Sequence, residues 1–303
     1  MDLSLNADQI AIRDALDALA RPFENVVLHE TGFALTDPAL DSALAHGGFL
    51  DVGFDPELGT GTAALIVERI ARLPQATEAA FSAIVRPVLG ENVTGPICLV
   101  EDHDLHRPVR FLREGATVVV LGETVTSFVA TPEHVRAEPE AIYAYPVGTL
   151  SAMPKDRRVH DVDPQQLRTL WRVALAAEAS GLLAAALASV CQYVSERQQF
   201  GRPLATFQAM RHRLAEAQVR TNGVYWLAMK AAHTLVVSDA ALAAFHAQES
   251  AREVVYDLHQ FMGAMGMTLE HPLHLWTYRL KLLTGELGGR GGHALAAAEA
   301  LWG

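Results

Sequence analysis

The chain has 303 residues, half of them apolar, with 24 basic against 35 acidic side chains for a net charge of −11. That length allows a sizeable core in one large domain or two to three modest ones, and an acidic balance with no long basic run speaks against a nucleic-acid partner. Cys98 and Cys191, the only cysteines, lie far apart, which argues against a disulfide framework and fits a reducing, cytoplasmic setting. No uninterrupted apolar run of about 18 residues marks a membrane span, and acids interrupt what would be the apolar part of an export signal.

In chain order, residues 5 to about 93 read as helical. Leu5, Ile10, Ile12, Leu16 and Leu19 draw a first amphipathic segment, with Ser4 and Asp8 as cap or first-turn acid, and 63–73 and 80–89 give later ones. Gly48, Gly53, Gly59 and Gly61 punctuate the link as turn residues. From about 96 to 150 the pattern turns extended, in the runs PICLVED, VRFL and ATVVVLGETVTSFVAT, β-branched and separated by glycine or proline. Asp102, His103, Asp104 and His106 have no established ligand spacing and read as a loop of mixed charge, so no metal is expected.

Beyond Pro164 the chain is rich in alanine and leucine, and proline-free over 165–202 and 204–271. Long helices can run there unbroken, and the reading places four of them: 165–197, 203–235, 239–265 and 274–301, the last broken near 288–292. An antiparallel bundle buries their stripes, and Met210, Met229, Met262, Met265 and Met267 belong to its core. The expected fold is mainly α with a small β region: an N-terminal helical domain (1–94), a reduced β domain (95–155) and a C-terminal antiparallel four-helix bundle (160–303).

One stretch organises the bundle: RQQFGRPLATFQAMRHRLAE, residues 197–216. Pro203 suits the first position of a helix; Leu204, Phe207, Met210, Leu214 and Ala217 then draw one apolar stripe. Arg197 and Arg202 would flank the positive end of that helix, a ready anion site.

This stretch resembles the signature R-x-x-F-G-[RK]-x-[LI]-x-x-[FH]-Q of the acyl-CoA dehydrogenase family. QFMGAMGMTLEHP, residues 260–272, is similar to a second family signature, Q-x-x-G-G-x-G-[FY]-x-x-E-x-P, and GFLDVGFDPELGTGTAALIVERIARLP is similar to the family's N-terminal turn into a helix. The resemblance implies oxidation of an acyl-CoA thioester: a glutamate takes the α proton while the β hydride passes to FAD. It further implies that Arg197, Phe200, Gly201, Leu204, Phe207 and Gln208 of the first block, with Gln260, Gly263, Ala264 and Gly266 of the second, reach across a subunit interface to a neighbour's FAD.

Two departures from the pattern shape the expectation. The middle domain is about half the family length, and CLVEDHDLHRPVR stands where the family has a flavin-holding segment like C-x-T-E-P-x-x-G-S-D. Both places where the family keeps its catalytic glutamate hold other residues, Leu287 after the second block and Trp171 before Arg172 on the first bundle helix. Glu286, one residue off and rotated by about 100° if helical, is expected on a solvated surface. Glu178, further along the first bundle helix, remains a minor candidate for the base that would need a partner if buried. The chain thus looks like the short β-type subunit of the heteromeric α2β2 acyl-CoA dehydrogenases of steroid-degrading actinobacteria. That likeness implies a full-length homologue as partner, a shared FAD, a bulky sterol side-chain CoA thioester as substrate, and an acceptor such as an electron-transfer flavoprotein.

Overall fold

The computed structural model describes residues 4–25 and 33–303. Helix α1 (Ala7–Ala20) begins at Asn6, whose side chain accepts from the Gln9 N–H while the Gln9 side chain accepts from the Asn6 N–H. This reciprocal capping box makes Asn6, in place of Ser4, the cap, with Asp8 in the first turn. Asp37 caps α2 (Pro38–His46) by accepting from the Ala39 and Leu40 N–H groups. Helix α3 (Gly59–Ala71) is buried on almost every side, and the short α4 (Ala80–Ile84) and α5 (Arg86–Leu89) complete the N-terminal part.

Strands β1 (Ile97–Glu101), β2 (Val109–Arg110), β3 (Thr117–Leu121), β4 (Val125–Val129), β5 (Val135–Ala137), β6 (Val147–Leu150) and β7 (Arg158–His160) form two small sheets, ordered β1-β3-β4-β7 and β2-β6-β5. Strands β1 and β3 run parallel; the other pairs in these sheets are antiparallel. Because side chains alternate across a strand, Ile97, Leu99, Val119 and Leu121 join the large helical core, while Cys98, Val100, Val118 and Val120 join a second core with Phe128 and Tyr145. The β region is therefore a wall with an apolar layer on each side.

Asp163 caps the 33-residue helix α6 (Pro164–Glu196), which starts with Pro164. By length and hydropathy α6 could cross a membrane, yet 78% of its most apolar window is buried inside the fold, as befits the central helix of a core. A carbon added at Gly181 would meet the Glu68 carbonyl at 2.1 Å and Ala71 Cβ at 2.8 Å, so this glycine sets the close approach of α6 to α3.

The chain then departs from the sequence reading. Strands β8 (Gln198–Gln199) and β9 (Arg202–Pro203) pair as a hairpin across Phe200 (φ 54°) and Gly201 (φ 78°). Pro203 therefore lies in a strand and does not start a helix; α7 (Gln208–Thr234) begins only after a 3₁₀ turn at Leu204–Thr206. Helix α8 (Val237–Met262) stops where Gly263 takes φ 56°. Helices α9 (Leu273–Leu283) and α10 (Gly289–Trp302) are separated by a 3₁₀ turn at Glu286–Gly288. Helices α6, α7, α8 and α10 pack in succession, with α9 against α6 and α8. Met262 and Met229 are buried and Met210 and Met265 partly so, but Met267 is 74% exposed, outside the core expected for it.

Candidate flavin-contacting surface and a buried ionic cluster

The first signature block projects from the bundle as a hairpin. The Arg197 N–H donates to the Tyr193 carbonyl at 2.8 Å and the Arg197 carbonyl accepts from the Leu204 N–H at 2.9 Å, which closes the hairpin at its base. At its tip Phe200 is 87% exposed and meets Phe207 edge-on at 6.1 Å, while the Arg202 guanidinium lies 4.1 Å over the Phe207 ring. Arg197, Gly201, Arg202 and Gln208 are exposed and Leu204 and Phe207 partly covered. Among the described residues no carboxylate pairs with Arg197.

The second block closes α8. Gln260, Gly263 and Ala264 are exposed, and Gly266 is buried where a Cβ would meet Met262 Cβ at 2.8 Å and the His259 carbonyl at 3.2 Å. Only glycine lets the turn fold back that tightly.

Glu286 is not a solvated surface group. Its side chain is 14% exposed; Oε1 accepts from Arg110 Nε at 2.8 Å and Oε2 accepts from Trp171 Nε1 at 2.7 Å. Leu287 adopts a left-handed conformation (φ 54°, ψ 43°) inside the turn, so the helical offset between neighbours does not hold there and Glu286 faces inward to Arg110 and Trp171. Glu178, buried on α6, finds the partner a buried acid requires. Oε2 accepts from Arg110 Nη1 and Oε1 accepts from the Tyr145 hydroxyl at 2.7 Å.

One guanidinium thus bridges both carboxylates, with the Phe81 ring 4.3 Å from its carbon. Burial works against the Arg110 charge, but Glu178 and Glu286 outweigh it and raise its pKa above the ordinary guanidinium value. Burial, then the Glu178 charge, raises the Tyr145 hydroxyl well above its usual value, so it remains a donor. Every carboxylate oxygen in the cluster has a partner, as buried charges require.

This cluster borders the two positions, Trp171 and Leu287, at which the family resemblance would put a catalytic glutamate. Trp171 and Leu287 line one cavity together with Glu286, Arg110, Phe81 and Leu99. Its volume is about 40 Å³, enough for a few waters and too small for an acyl thioester. Loop 102–108 packs beside it: Arg107 is held by Asp104 and donates to the Gly285 carbonyl. Asp102, His103, Asp104 and His106 do not converge, and no metal-ligating group occurs among the described residues.

Sequence reading missed Arg110, which lies 68 residues from Glu178 and 176 from Glu286, and it missed a cleft of about 650 Å³ beside the second block. Ile142 of the β region, Ala251, Val255 and His259 of α8, and Tyr278 and Leu280 of α9 form its walls, with Arg252, Lys281 and Arg290 among its lining residues. His259, just before the second block, and Met267, within it, also line it. No acidic side chain does.

Residues 167–299 match the acyl-CoA dehydrogenase C-terminal domain model. The chain is 28% identical over 289 residues to the acyl-CoA dehydrogenase IpdE2 of Mycolicibacterium smegmatis, covering 84% of this chain and 92% of that one. It is 34% identical over 140 residues to the acyl-CoA dehydrogenase FadE34 of Mycobacterium tuberculosis, where it spans only 20% of the relative's length. The ChsE4–ChsE5 complex from M. tuberculosis has a chain of the same fold, with a TM-score of 0.71, 19% identity and 99% of both chains covered. Residues 167–299 are thus similar to an acyl-CoA dehydrogenase C-terminal domain, and the chain as a whole shares the fold of solved acyl-CoA dehydrogenases.

The residues present fit FAD in one part and not in another. An exposed Arg197 with no carboxylate partner, an exposed aromatic and exposed glycines at Gly201 and Gly263 suit a pyrophosphate and ring arriving from outside. Loop 102–108 offers no comparable cradle, its Arg107 being bound to Asp104 and Gly285.

Proposed function

We propose that this chain is the flavin-contacting, non-base subunit of a heteromeric FAD-dependent acyl-CoA dehydrogenase. A full-length homologue, in an α2β2 assembly, supplies the flavin cradle and the catalytic carboxylate. When bound, FAD supplies the hydride acceptor for oxidation of an acyl-CoA thioester. On this side Arg197 neutralises the pyrophosphate, Phe200 and Phe207 cover apolar surface, and the exposed turn at Gly263 and Ala264 lies against the cofactor, with Gln260 beside it. The cleft of about 650 Å³ next to that turn, with cations and no acid in its lining, has room for part of the dinucleotide.

The observation that carries this reading is the Arg110–Glu178–Glu286 cluster. A base must be free to take a proton at hydrogen-bond distance from substrate, and here both nearby carboxylates are spent on Arg110, Tyr145 and Trp171. The partnered character of the ChsE4–ChsE5 complex supports a heteromer. The short-subunit resemblance points to a bulky sterol side-chain thioester as substrate class, an electron-transfer flavoprotein as acceptor and a cytoplasmic location. Co-expression with a full-length homologue tests the proposal. The complex is expected to be yellow and active on an acyl-CoA while the chain alone is colourless; a colourless, inactive complex would refute it.

A further inference from the structure

The turn that carries the second block is pinned by three histidines that have no counter-charge. His259, near the end of α8, bonds through Nε2 to Thr277 Oγ1 at 3.0 Å, stacks on Tyr278 at 6.3 Å and lies against the Gly266 backbone of the turn. His274, on α9 and 2% exposed, donates from Nδ1 to the His271 carbonyl at 3.0 Å and leaves Nε2 buried without a partner. His271 accepts from the Leu273 N–H at 3.2 Å, sits edge-on to Tyr193 of α6 at 5.7 Å, and has Ser189 Oγ at 3.5 Å. Together they join α8, α9 and α6 around residues 263–272.

The charged and titratable neighbours add positive charge or none. Tyr278 touches His259 and His274, Tyr193 touches His271, and Arg252 and Lys281 line the cleft that His259 faces. Asp257, two residues away on α8, is taken by Arg213, and Glu270 is exposed. Among the described residues no carboxylate pairs with any of the three.

We propose that His259, His271 and His274 form an acid-sensitive latch: neutral, they hold the 263–272 turn in the shape that presents the second block, and mild acid releases it. Only the consequence for flavin rests on the subunit reading above. Burial lowers the pKa of all three, and the charge on His274 further lowers His271, as that on His259 does His274. The closed turn therefore favours neutral rings. Its stability is fully present above the ordinary imidazole pKa of about 6.5 and is lost as pH falls below it, by up to about tenfold in the opening equilibrium per histidine per pH unit.

Hydrogen exchange of the 263–270 amides in the full chain between pH 7.5 and 5, corrected for intrinsic rates, tests the latch without flavin. Protection is expected to fall by tenfold or more per unit below about pH 6.5, and His259→Gln with His274→Gln should flatten that slope. Histidine Cε1 proton titrations of the unmodified chain give a second readout, with three rings titrating below the ordinary value. Protection independent of pH, or three ordinary titrations, would overturn the latch. Flavin release from the complex should follow the same pH curve; an intact pH-dependent latch with no change in flavin retention would sink the flavin reading of this turn alone.

Discussion

Replacing Arg110 by Met should be among the most damaging single changes in the protein. The guanidinium is 3% exposed and holds Glu178, on α6, together with Glu286, in the turn after α9. Methionine keeps the apolar contact with Phe81 and Tyr145 but leaves two carboxylates buried without their cation. Removing one partner of a buried pair costs about 3–5 kcal/mol, and lost attraction to the Phe81 face adds about 0.5–2 kcal/mol. Arg279, whose guanidinium is held by the Leu275, Leu73 and Gln75 carbonyls, is too committed to take over. Urea unfolding is expected to show a loss of at least about 3 kcal/mol. Adding Glu178→Gln and Glu286→Gln to Arg110→Met should return more than half of it, because neutral amides no longer need the cation. A loss below about 1 kcal/mol, the range of an exposed pair, would show that the cluster is not the buried network described.

Further outcomes follow from the same contacts. Arg197→Ala in the assembled complex should weaken flavin retention by roughly 1.5–3 kcal/mol, the worth of a charge-assisted contact, read as flavin content at low free flavin; unchanged content would refute the first block's role. Phe200→Ala should weaken retention less and, at 87% exposure, change unfolding by under about 0.5 kcal/mol. Gly181→Ala should destabilise by about 1–3 kcal/mol, because its methyl group would meet the Glu68 carbonyl at 2.1 Å; a neutral result would mean α3 and α6 separate freely. The isolated chain should retain little FAD, and stoichiometric flavin on it would show that the cleft at Ile142 and Tyr278 suffices alone.

Much of the fold was legible because the signals were local. The proline-free run after Pro164 and the small residues along it mark α6, and β-branched runs mark β1, β3 and β4. Where reading failed, a backbone or long-range effect intervened. Pro203 looked like a helix start, but Phe200 and Gly201 both take positive φ and turn the segment into a hairpin. Glu286 looked exposed under helical geometry, yet Leu287 is left-handed there and Glu286 faces Arg110. Nothing near Arg110 in sequence announces two carboxylates 68 and 176 residues away; only folding brings the three together. Glu178 was readable in half: its need for a partner follows from its burial, the partner's identity does not.

The central claim, that the catalytic carboxylate lies outside this chain, is tested most directly by turnover of the reconstituted complex carrying Glu178→Gln or Glu286→Gln, with flavin content measured on the same samples. The account predicts turnover per bound flavin within a few-fold of the unmodified complex. A fall of about 10² to 10⁴, the usual cost of losing a general base, with flavin and fold retained, would contradict it.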